Sequence, residues 1–255
     1  MAAITAKDVA ALRAKTGIGM MECKKALVEA EGDMEKALKV LRERGLAVAA
    51  KKEGRIAADG VVEILKEGDV SAMIEVNSET DFVAKNATFR EFVTSLLKTI
   101  IAAKPADIDA LLAAKYLDTD LSVNDKLKEM IFQIGEKINI RRFVVVNGIT
   151  STYVHGGGVA GVIVGFDTTA EVAATEKFAK MAKNVALQIA SGNPPTYITR
   201  EDVPASVLAE EKAIQIAAMK NDPKNANKPE NILEKIVIGK LGKYYEQVCL
   251  DEQQF

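Results

Sequence analysis

The sequence contains one histidine, His155, and no tryptophan. An enzyme with a nucleophile–histidine pair would have to use His155 as its base, and a histidine-rich metal site is excluded. The two cysteines, Cys23 and Cys249, lie far apart without the close spacing of a metal or redox pair. We therefore expect reduced thiols in a cytosolic protein. Catalysis is the less favoured interpretation, and we expect no cofactor and no covalent chemistry carried out by the chain itself.

Long apolar runs and a basic excess are also missing. No stretch approaches the roughly 20 apolar residues of a membrane span, and residues 1–17 lack the apolar core of a secretion signal. The net charge is −2 and the pI about 5.7, whereas nucleic-acid binders have a concentrated basic face. The short basic segment KKEGR at 51–55 is better explained as a solvated linker. We expect a cytoplasmic protein that binds neither nucleic acid directly nor a membrane.

The composition is that of an ordinary folded chain, and residues 5–45 have the spacing of three short helices. Of the 255 residues 48% are apolar, enough for one sizeable core or two modest ones. Thr5 and Asp8 match a capping box, and Gly45 is expected to end the third helix. A bundle this small has little room for a buried catalytic site. We assign residues 1–54 to a three-helix partner-binding domain and its linker, which begins at residue 46.

From Val61 the apolar pattern changes to alternation, which is typical of strands. Two runs joined at residues 67–69 predict a β-hairpin. An amphipathic helix follows, with Thr88 and Glu91 matching a second capping box and Pro105 ending it. The pattern predicts a small antiparallel sheet with a helix packed on it.

An internal duplication is indicated by matching residues at a constant separation of 89 positions, the separation of Pro105 and Pro194. The shift aligns two copies of the hairpin-then-helix pattern without a gap. The matched pairs include Gly68 with Gly157, Val70 with Val159, Ile74 with Ile163, Thr80 with Thr169, Val83 with Val172 and Phe89 with Phe178. We therefore predict an α+β fold with duplicated core subdomains, one at 55–147 and one at 148–195.

Three further segments complete the predicted organisation. Residues 122–146 have the pattern of a helix that runs into a strand. Residues 196–248 form two helical arms around the polar tip NDPKNANKPE at 221–230, which predicts an antiparallel coiled-coil hairpin. Residues 249–255 begin a C-terminal segment that we expect to be cut short.

Phe82 is an aromatic residue on a connecting segment, where polar side chains are the rule. In the alignment of the two copies Phe82 corresponds to Glu171. A core position is not expected to hold Phe in one copy and Glu in the other, because an unpaired buried carboxylate is costly. Val83 is the better inward anchor. We predict that Phe82 projects from the surface beside Asp81, as an aromatic contact for a protein partner.

The glycine run HGGGVAG at 155–161 matches a dinucleotide fingerprint by letter, through Gly156, Gly158 and Gly161. That fingerprint needs a strand before the glycines and a helix after them, so that the helix N-terminus faces the phosphates. The residues that follow are β-patterned, which favours a glycine-rich hairpin turn. From the residues alone, His155 at the mouth of this turn is most simply a surface side chain.

Three motifs together resemble bacterial translation elongation factor Ts. They are LRAKTGIGMMECKKAL at 12–27, EVNSETDFVAK at 75–85 and IGEKINIRRF at 134–143. They occur in the order found in that family, and the resemblance covers almost the whole chain. The family's architecture agrees with the organisation predicted above: a ubiquitin-associated-like three-helix N-terminal domain, a two-subdomain core and a coiled-coil hairpin.

The resemblance implies a guanine-nucleotide exchange factor that binds elongation factor Tu in its GDP-bound and nucleotide-free forms and releases GDP. It further implies that Asp81 and Phe82 push into the G domain near the magnesium site, with Thr80 and Val83 bracing the turn. Further partner contacts are implied at five positions: Met20, Lys24, Ile134, Gly135 and His155.

Two other functions stay open, and one feature departs from the family. The chain could instead be a non-catalytic interaction scaffold or chaperone-like binder that accelerates no exchange. A dehydrogenase built on the glycine turn is the weakest alternative, because it requires NAD binding. Family members continue beyond QVCLDEQQF at 247–255, so we expect a truncated chain or a short variant. The second sheet would then lack a strand and expose an edge.

Overall fold

The computed structural model describes residues 4–117, 119–221 and 229–254. Two compact units, Met1–Ala179 and Lys180–Phe255, make up the chain, and each is described by itself. Eleven α-helices and five strands lie in the described residues. The predicted α+β class is therefore confirmed.

The helices and strands follow one another in this order: α1 (Ala6–Thr16), α2 (Met20–Glu29), α3 (Met34–Lys52), β1 (Asp59–Glu67), β2 (Val70–Ser78), α4 (Asp81–Ala84), α5 (Ala87–Ala103), α6 (Ile108–Ala113), α7 (Val123–Ile134), β3 (Ile138–Asn147), β4 (Ile149–His155), β5 (Ala160–Phe166), α8 (Ala170–Ala173), α9 (Glu176–Ile189), α10 (Ala205–Lys220) and α11 (Glu230–Val248). Short 3-10 helices occur at Arg200–Asp202 and Leu250–Glu252.

The N-terminal bundle consists of α1, α2 and α3. Thr5 and Asp8 form the predicted capping box at the start of α1. Side chains from all three helices meet in an apolar core: Val9, Leu12, Ile18, Cys23, Ala26, Leu27, Ala30, Ala37 and Leu41. The three-helix organisation is confirmed, whereas its likeness to ubiquitin-associated domains stays a prediction.

The third helix is longer than predicted. Gly45 does not end α3, which continues to Lys52 and takes in the first residues of the linker expected to begin at residue 46. A Cβ atom at Gly45 would lie 3.6 Å from the ring of Phe132 on α7. This is an ordinary packing distance, so α3 contacts α7 at Gly45, and this tertiary contact overrides the weak helix propensity of glycine.

The first core subdomain contains a three-stranded antiparallel sheet in the order β1-β2-β3. Glu67 pairs with Val70, which confirms the predicted hairpin turn at 67–69. Helix α5 packs its apolar face against the sheet, and the members of this core include Ile74, Val76, Phe89, Val93, Leu96 and Ile100. Since these side chains are buried, the sheet and α5 form a rigid support for the segment that connects them.

A different residue from the predicted one caps α5. The side-chain oxygen of Asn86 accepts hydrogen bonds from the backbone N–H groups of Thr88 and Phe89, at 2.9 and 3.3 Å. The helix therefore begins at Ala87, and the predicted Thr88–Glu91 capping box is wrong. Thr88 already lies inside the first turn, and asparagine caps a helix at least as well as threonine.

The predicted duplication is visible in the bounds of the elements. Shifted by 89 residues, α4 coincides with α8, the first residues of α5 and α9 coincide, and the β1–β2 hairpin overlaps the β4–β5 hairpin. The copies differ in packing, because Val83 is 8% exposed and its counterpart Val172 is 47% exposed. Val83 belongs to a core that α7 and β3 complete. The second sheet has two strands in the described part of the chain.

In the second unit, α10 and α11 form a helical hairpin. Met219 near the end of α10 packs with Leu233 and Val237 near the start of α11, so the two helices run antiparallel. This confirms the predicted hairpin. Of its predicted polar tip, residues 222–228 lie outside the described residues. Within the ranges described, none of the helices combines the length and apolar character that crossing a membrane requires.

Candidate functional site

The segment after β2 presents Phe82 on the surface. Helix α4 has four residues, and its side chains divide into two groups. Val83 and Ala84 are buried, whereas Asp81 is exposed and Phe82 is 80% exposed. Val83 belongs to the same apolar core as α5. The predicted exposure of Phe82 and burial of Val83 are confirmed, and the contact of Phe82 with a partner stays a prediction.

Glu136, in the connection between α7 and β3, holds the base of α4. Its carboxylate oxygens accept hydrogen bonds from the backbone N–H and the hydroxyl of Thr80, at 3.0 and 2.7 Å. The Ser78 hydroxyl donates to the carbonyl oxygen of Thr80 at 2.9 Å. Thr80 immediately precedes α4. With its N–H, hydroxyl and carbonyl all bonded, it fixes the direction in which α4 leaves the sheet.

Glu79 makes a second contact between the turn and the connection of α7 and β3. Its carboxylate accepts a hydrogen bond from the backbone N–H of Lys137 at 2.6 Å and pairs with Arg55 at 3.2 Å. The Lys137 bond first, and then the Arg55 bond, lower the pKa of Glu79 below its ordinary value. The carboxylate is therefore charged at neutral pH. Thr80 and Glu79, two neighbouring residues of the turn, are thus hydrogen-bonded to residues 136 and 137.

Asp81 forms an ion pair with Lys85, one helical turn later, with 2.6 Å between the carboxylate oxygen and Nζ. The hydrogen bond and the charge of Lys85 lower the pKa of Asp81 below its ordinary value. Both side chains are more than half exposed, and exposed ion pairs separate at little cost. The start of α4 therefore presents a charged carboxylate that a partner can reach.

Ile134 and Gly135 lie at the C-terminal end of α7, directly before Glu136. Gly135 has a φ of 83°, the left-handed conformation in which helices commonly end. Its carbonyl oxygen accepts a hydrogen bond from Nζ of Lys52 at the end of α3. The structure therefore brings the predicted contacts Ile134 and Gly135 to the turn that carries Asp81 and Phe82, through Glu136.

Most of the basic segment at 51–55 is exposed, as predicted for a solvated linker, although its first two residues belong to α3. Two of its cations bond to the base of the turn: Lys52 to Gly135, and Arg55 to Glu79. In return, Nζ of Lys137 donates to the carbonyl oxygens of Glu53 and Arg55, at 2.5 and 2.9 Å. Carboxylate and carbonyl oxygens that are distant in sequence supply the partners, which a local pattern of charges cannot show.

The remaining predicted contacts lie on other elements. Met20 and Lys24 are exposed on α2, in the N-terminal bundle. His155 is exposed at the end of β4, where its Nδ1 lies 3.1 Å from the hydroxyl of Tyr153. These residues stay predicted contacts on surfaces separate from α4.

The glycine run forms a hairpin turn, as predicted. Gly156, Gly157 and Gly158 have φ values of 58°, 68° and 111°, which favour glycine. Strand β5 begins at Ala160 immediately after them, so no helix N-terminus faces a phosphate there. The dinucleotide-binding alternative is wrong, because the run lacks the strand–turn–helix context.

The sequence did not predict three residues that organise the site: Glu79, Glu136 and Arg90. Glu79 and Glu136 lie inside two of the family motifs, and Arg90 lies on α5. Each has at least one partner that is distant in the chain: Thr80 and Glu136, for example, are 56 residues apart. A single sequence has no signal for such pairings. A charged residue that flanks an exposed aromatic on a turn is nevertheless a reason to look for a long-range partner of that charge.

Comparison with known proteins gives the family. A family model described as Elongation factor TS matches residues 79–255. Elongation factor Ts of Syntrophotalea carbinolica is 46% identical over 99% of this chain and 82% of its own length. The chain belongs to the elongation factor Ts family. The matched residues of the family model begin within the turn, at Glu79, and include Glu136, Ile134 and His155.

Two further relatives show the same extent of similarity. Elongation factor Ts of Clostridioides difficile is 46% identical over 100% of this chain and 82% of its own length. Elongation factor Ts of Magnetococcus marinus is 41% identical over 99% of this chain and 82% of its own length. Similarity over nearly the whole chain includes the N-terminal bundle, which lies outside the residues matched by the family model.

Proposed function

We propose that this protein is a guanine-nucleotide exchange factor that promotes GDP release from elongation factor Tu during translation elongation in the cytoplasm. The observation that carries the proposal is the geometry of α4. Phe82 is 80% exposed on this helix, and the two residues before the helix, Glu79 and Thr80, are hydrogen-bonded to residues 137 and 136. Family membership supplies the partner class. Exchange makes and breaks no covalent bond, so it needs no nucleophile or cofactor on this chain.

The proposed mechanism is a rigid wedge. A factor that binds the empty GTPase better than the loaded one must weaken GDP binding by the same factor, because coupling between sites is reciprocal. Phe82 would enter the G domain near the magnesium site and separate packed elements, which switch between arrangements and do not deform smoothly. A wedge needs a fixed base, and the bonds of Thr80 to Glu136 provide one.

Asp81 would act on the groups that hold the partner's magnesium ion. Its carboxylate is charged and exposed, and a negative charge beside the ligands and waters of a cation competes with them. In the free protein the positive charge of Lys85 balances the charge of Asp81 through their ion pair. Because the pair is exposed, the partner can separate it at little cost.

Contacts elsewhere would supply the binding energy that distortion of the nucleotide site requires. Met20 and Lys24 lie on the bundle, Ile134 and Gly135 beside the turn, and His155 at the end of β4. We propose that all five touch the partner, in both its GDP-bound and its nucleotide-free forms.

A GDP-release assay tests the proposal directly. Elongation factor Tu loaded with fluorescent GDP is mixed with excess unlabelled GDP and a small fraction of this protein. An exchange factor turns over and accelerates release of the whole GTPase pool. A scaffold or chaperone-like binder leaves the release rate at its spontaneous value, and that result would reject exchange.

His155→Ala is expected to weaken association with elongation factor Tu by roughly fivefold to tenfold, the scale of one interface side chain, without lowering the maximal exchange rate. His155 is exposed, so its removal leaves the fold intact. A titration of exchange rate against GTPase concentration separates the two effects. Tyr153→Phe is the matched control, because it removes only the hydroxyl that bonds to Nδ1. An unchanged dissociation constant for His155→Ala would make His155 an ordinary surface residue.

A further inference from the structure

Arg90, in the first turn of α5, contacts three separate elements. Its Nε donates to the carbonyl oxygen of Ala84 at the end of α4, at 2.7 Å. Its Nη1 pairs with Glu63 on β1 at 3.2 Å, and its Nη2 donates to the carbonyl oxygen of Gly157 in the glycine turn. The planar guanidinium carries donors in a fixed fork, which suits such a junction and which lysine cannot reproduce.

The glycine turn is seated against β1 at the same place. The backbone N–H of Val62 donates to the carbonyl oxygen of Gly158 at 2.8 Å. A Cβ atom at Gly158 would lie 2.3 Å from a methyl carbon of Val61 and 3.1 Å from Nη1 of Arg90. No side chain fits there, so close contact fixes the turn against β1 and Arg90.

The internal duplication does not account for this junction. At a separation of 89 residues, Arg90 corresponds to Ala179 and Glu63 corresponds to Thr152. The second copy forms the same hairpin and the same helix start without either charged residue. The fold of one subdomain therefore does not require the pair. Arg90 and Glu63 instead join the first copy to Gly157 of the second.

We propose that Arg90 is a positioning residue that holds α4, with Phe82, and the glycine turn, with His155, at one fixed separation. Ala84 and Gly157, its two carbonyl partners, each lie two residues beyond one of these exposed side chains. The inference rests on the proposed function, in which one partner molecule contacts Phe82 and His155 together. Loss of Arg90 weakens that joint contact although both side chains remain.

A distance measurement tests the junction in the free protein. Lys85→Cys and Val159→Cys introduce exposed labelling sites on either side of it, and both native cysteines are buried. Double electron–electron resonance between nitroxides at these sites is expected to give one narrow distance distribution. Arg90→Ala is expected to broaden it. Lys98→Ala removes an exposed cation from the same helix and is expected to leave it unchanged.

Binding to nucleotide-free elongation factor Tu gives the second readout, without the labels. Arg90→Ala is expected to weaken association about tenfold, the scale of coupling between contacting residues. It is also expected to reduce the cost of His155→Ala, so that the double variant binds more tightly than additive losses predict. A purely structural role would lower the thermal midpoint and leave the cost of His155→Ala unchanged. Arg90→Lys retains the charge and replaces Arg90→Ala if that variant does not fold.

The two readouts separate this inference from the proposed function. An unchanged distance distribution, or strictly additive losses on binding, would overturn the positioning role of Arg90. If the parent protein does not accelerate GDP release, the proposed function fails. The distance distribution then still decides whether Arg90 holds the two segments together.

Discussion

Phe82→Ala is expected to slow GDP release by roughly 30-fold or more, the scale of a dominant interface aromatic, with a much smaller loss of affinity for the nucleotide-free GTPase. The ring is 80% exposed and belongs to no apolar cluster of the described residues, so its removal leaves the fold of this protein intact. What is lost is the group that would separate packed elements of the G domain. Stopped-flow release of fluorescent GDP measures the rate, and titration measures the affinity.

Two controls make the Phe82 result specific. Ile238→Ala removes an exposed apolar side chain from α11, in the other unit, and is expected to change nothing. Val83→Ala truncates the buried neighbour of Phe82 and is expected to lower stability by about 1–3 kcal/mol, because it leaves a cavity. If the folded Phe82→Ala protein releases GDP at the parent rate, the wedge mechanism is wrong.

The exposure of Phe82 was predictable because the chain contains its own comparison. A single copy leaves an aromatic residue on a turn ambiguous between core and surface. The second copy places Glu171 at the same position, and a core position cannot hold both residues without burying a carboxylate. The element bounds then agree across the shift of 89 residues, from α4 and α8 to the starts of α5 and α9.

Local signals failed where tertiary contacts decided the outcome. Glycine is typical of helix ends, yet α3 continues through Gly45 because Phe132 packs against this part of the helix. At the start of α5 two caps were available, and Asn86 is used instead of Thr88. Propensity and cap patterns rank local alternatives that differ by about 1 kcal/mol, so packing easily reverses the order.

The hydrogen bonds that hold the turn in place could not be predicted from a single sequence. Phe82, with Asp81 beside it, was predicted from its place on a turn and from the comparison of the two copies, and the family motif then implied the role of the pair. The residues that hold them are bonded across long separations: Glu136 to Thr80, and Lys137 to Glu79. Folding brings these groups together, and no local periodicity records it. The sequence therefore predicts which side chains are presented and leaves open what fixes their direction.

Glu136→Ala is expected to slow GDP release about tenfold although Phe82 and Asp81 are still present. The carboxylate is the acceptor for both the N–H and the hydroxyl of Thr80. Hydrogen bonds to charged groups contribute about 1.5–3 kcal/mol each, so their loss frees the start of α4 and lowers the stability of the folded chain. If the ring is held loosely, ordering it on binding costs free energy, and less of the binding free energy is then available to distort the nucleotide site. Stopped-flow release measures the rate, and thermal unfolding measures the stability.

A double variant shows whether Glu136 acts through Phe82. If Glu136 acts only by orienting the ring of Phe82, the Phe82→Ala, Glu136→Ala protein releases GDP no more slowly than Phe82→Ala alone, since there is no ring left to orient. A further slowdown in the double variant would mean that Glu136 also acts through Asp81, which lies on the same short helix, or contacts the partner itself. Glu129→Ala is the matched control, because it removes a carboxylate from α7, the helix that precedes Glu136, and this carboxylate pairs with Lys126 on the same helix. Glu136→Gln keeps one acceptor oxygen without the charge, so its rate should lie between those of the parent and Glu136→Ala.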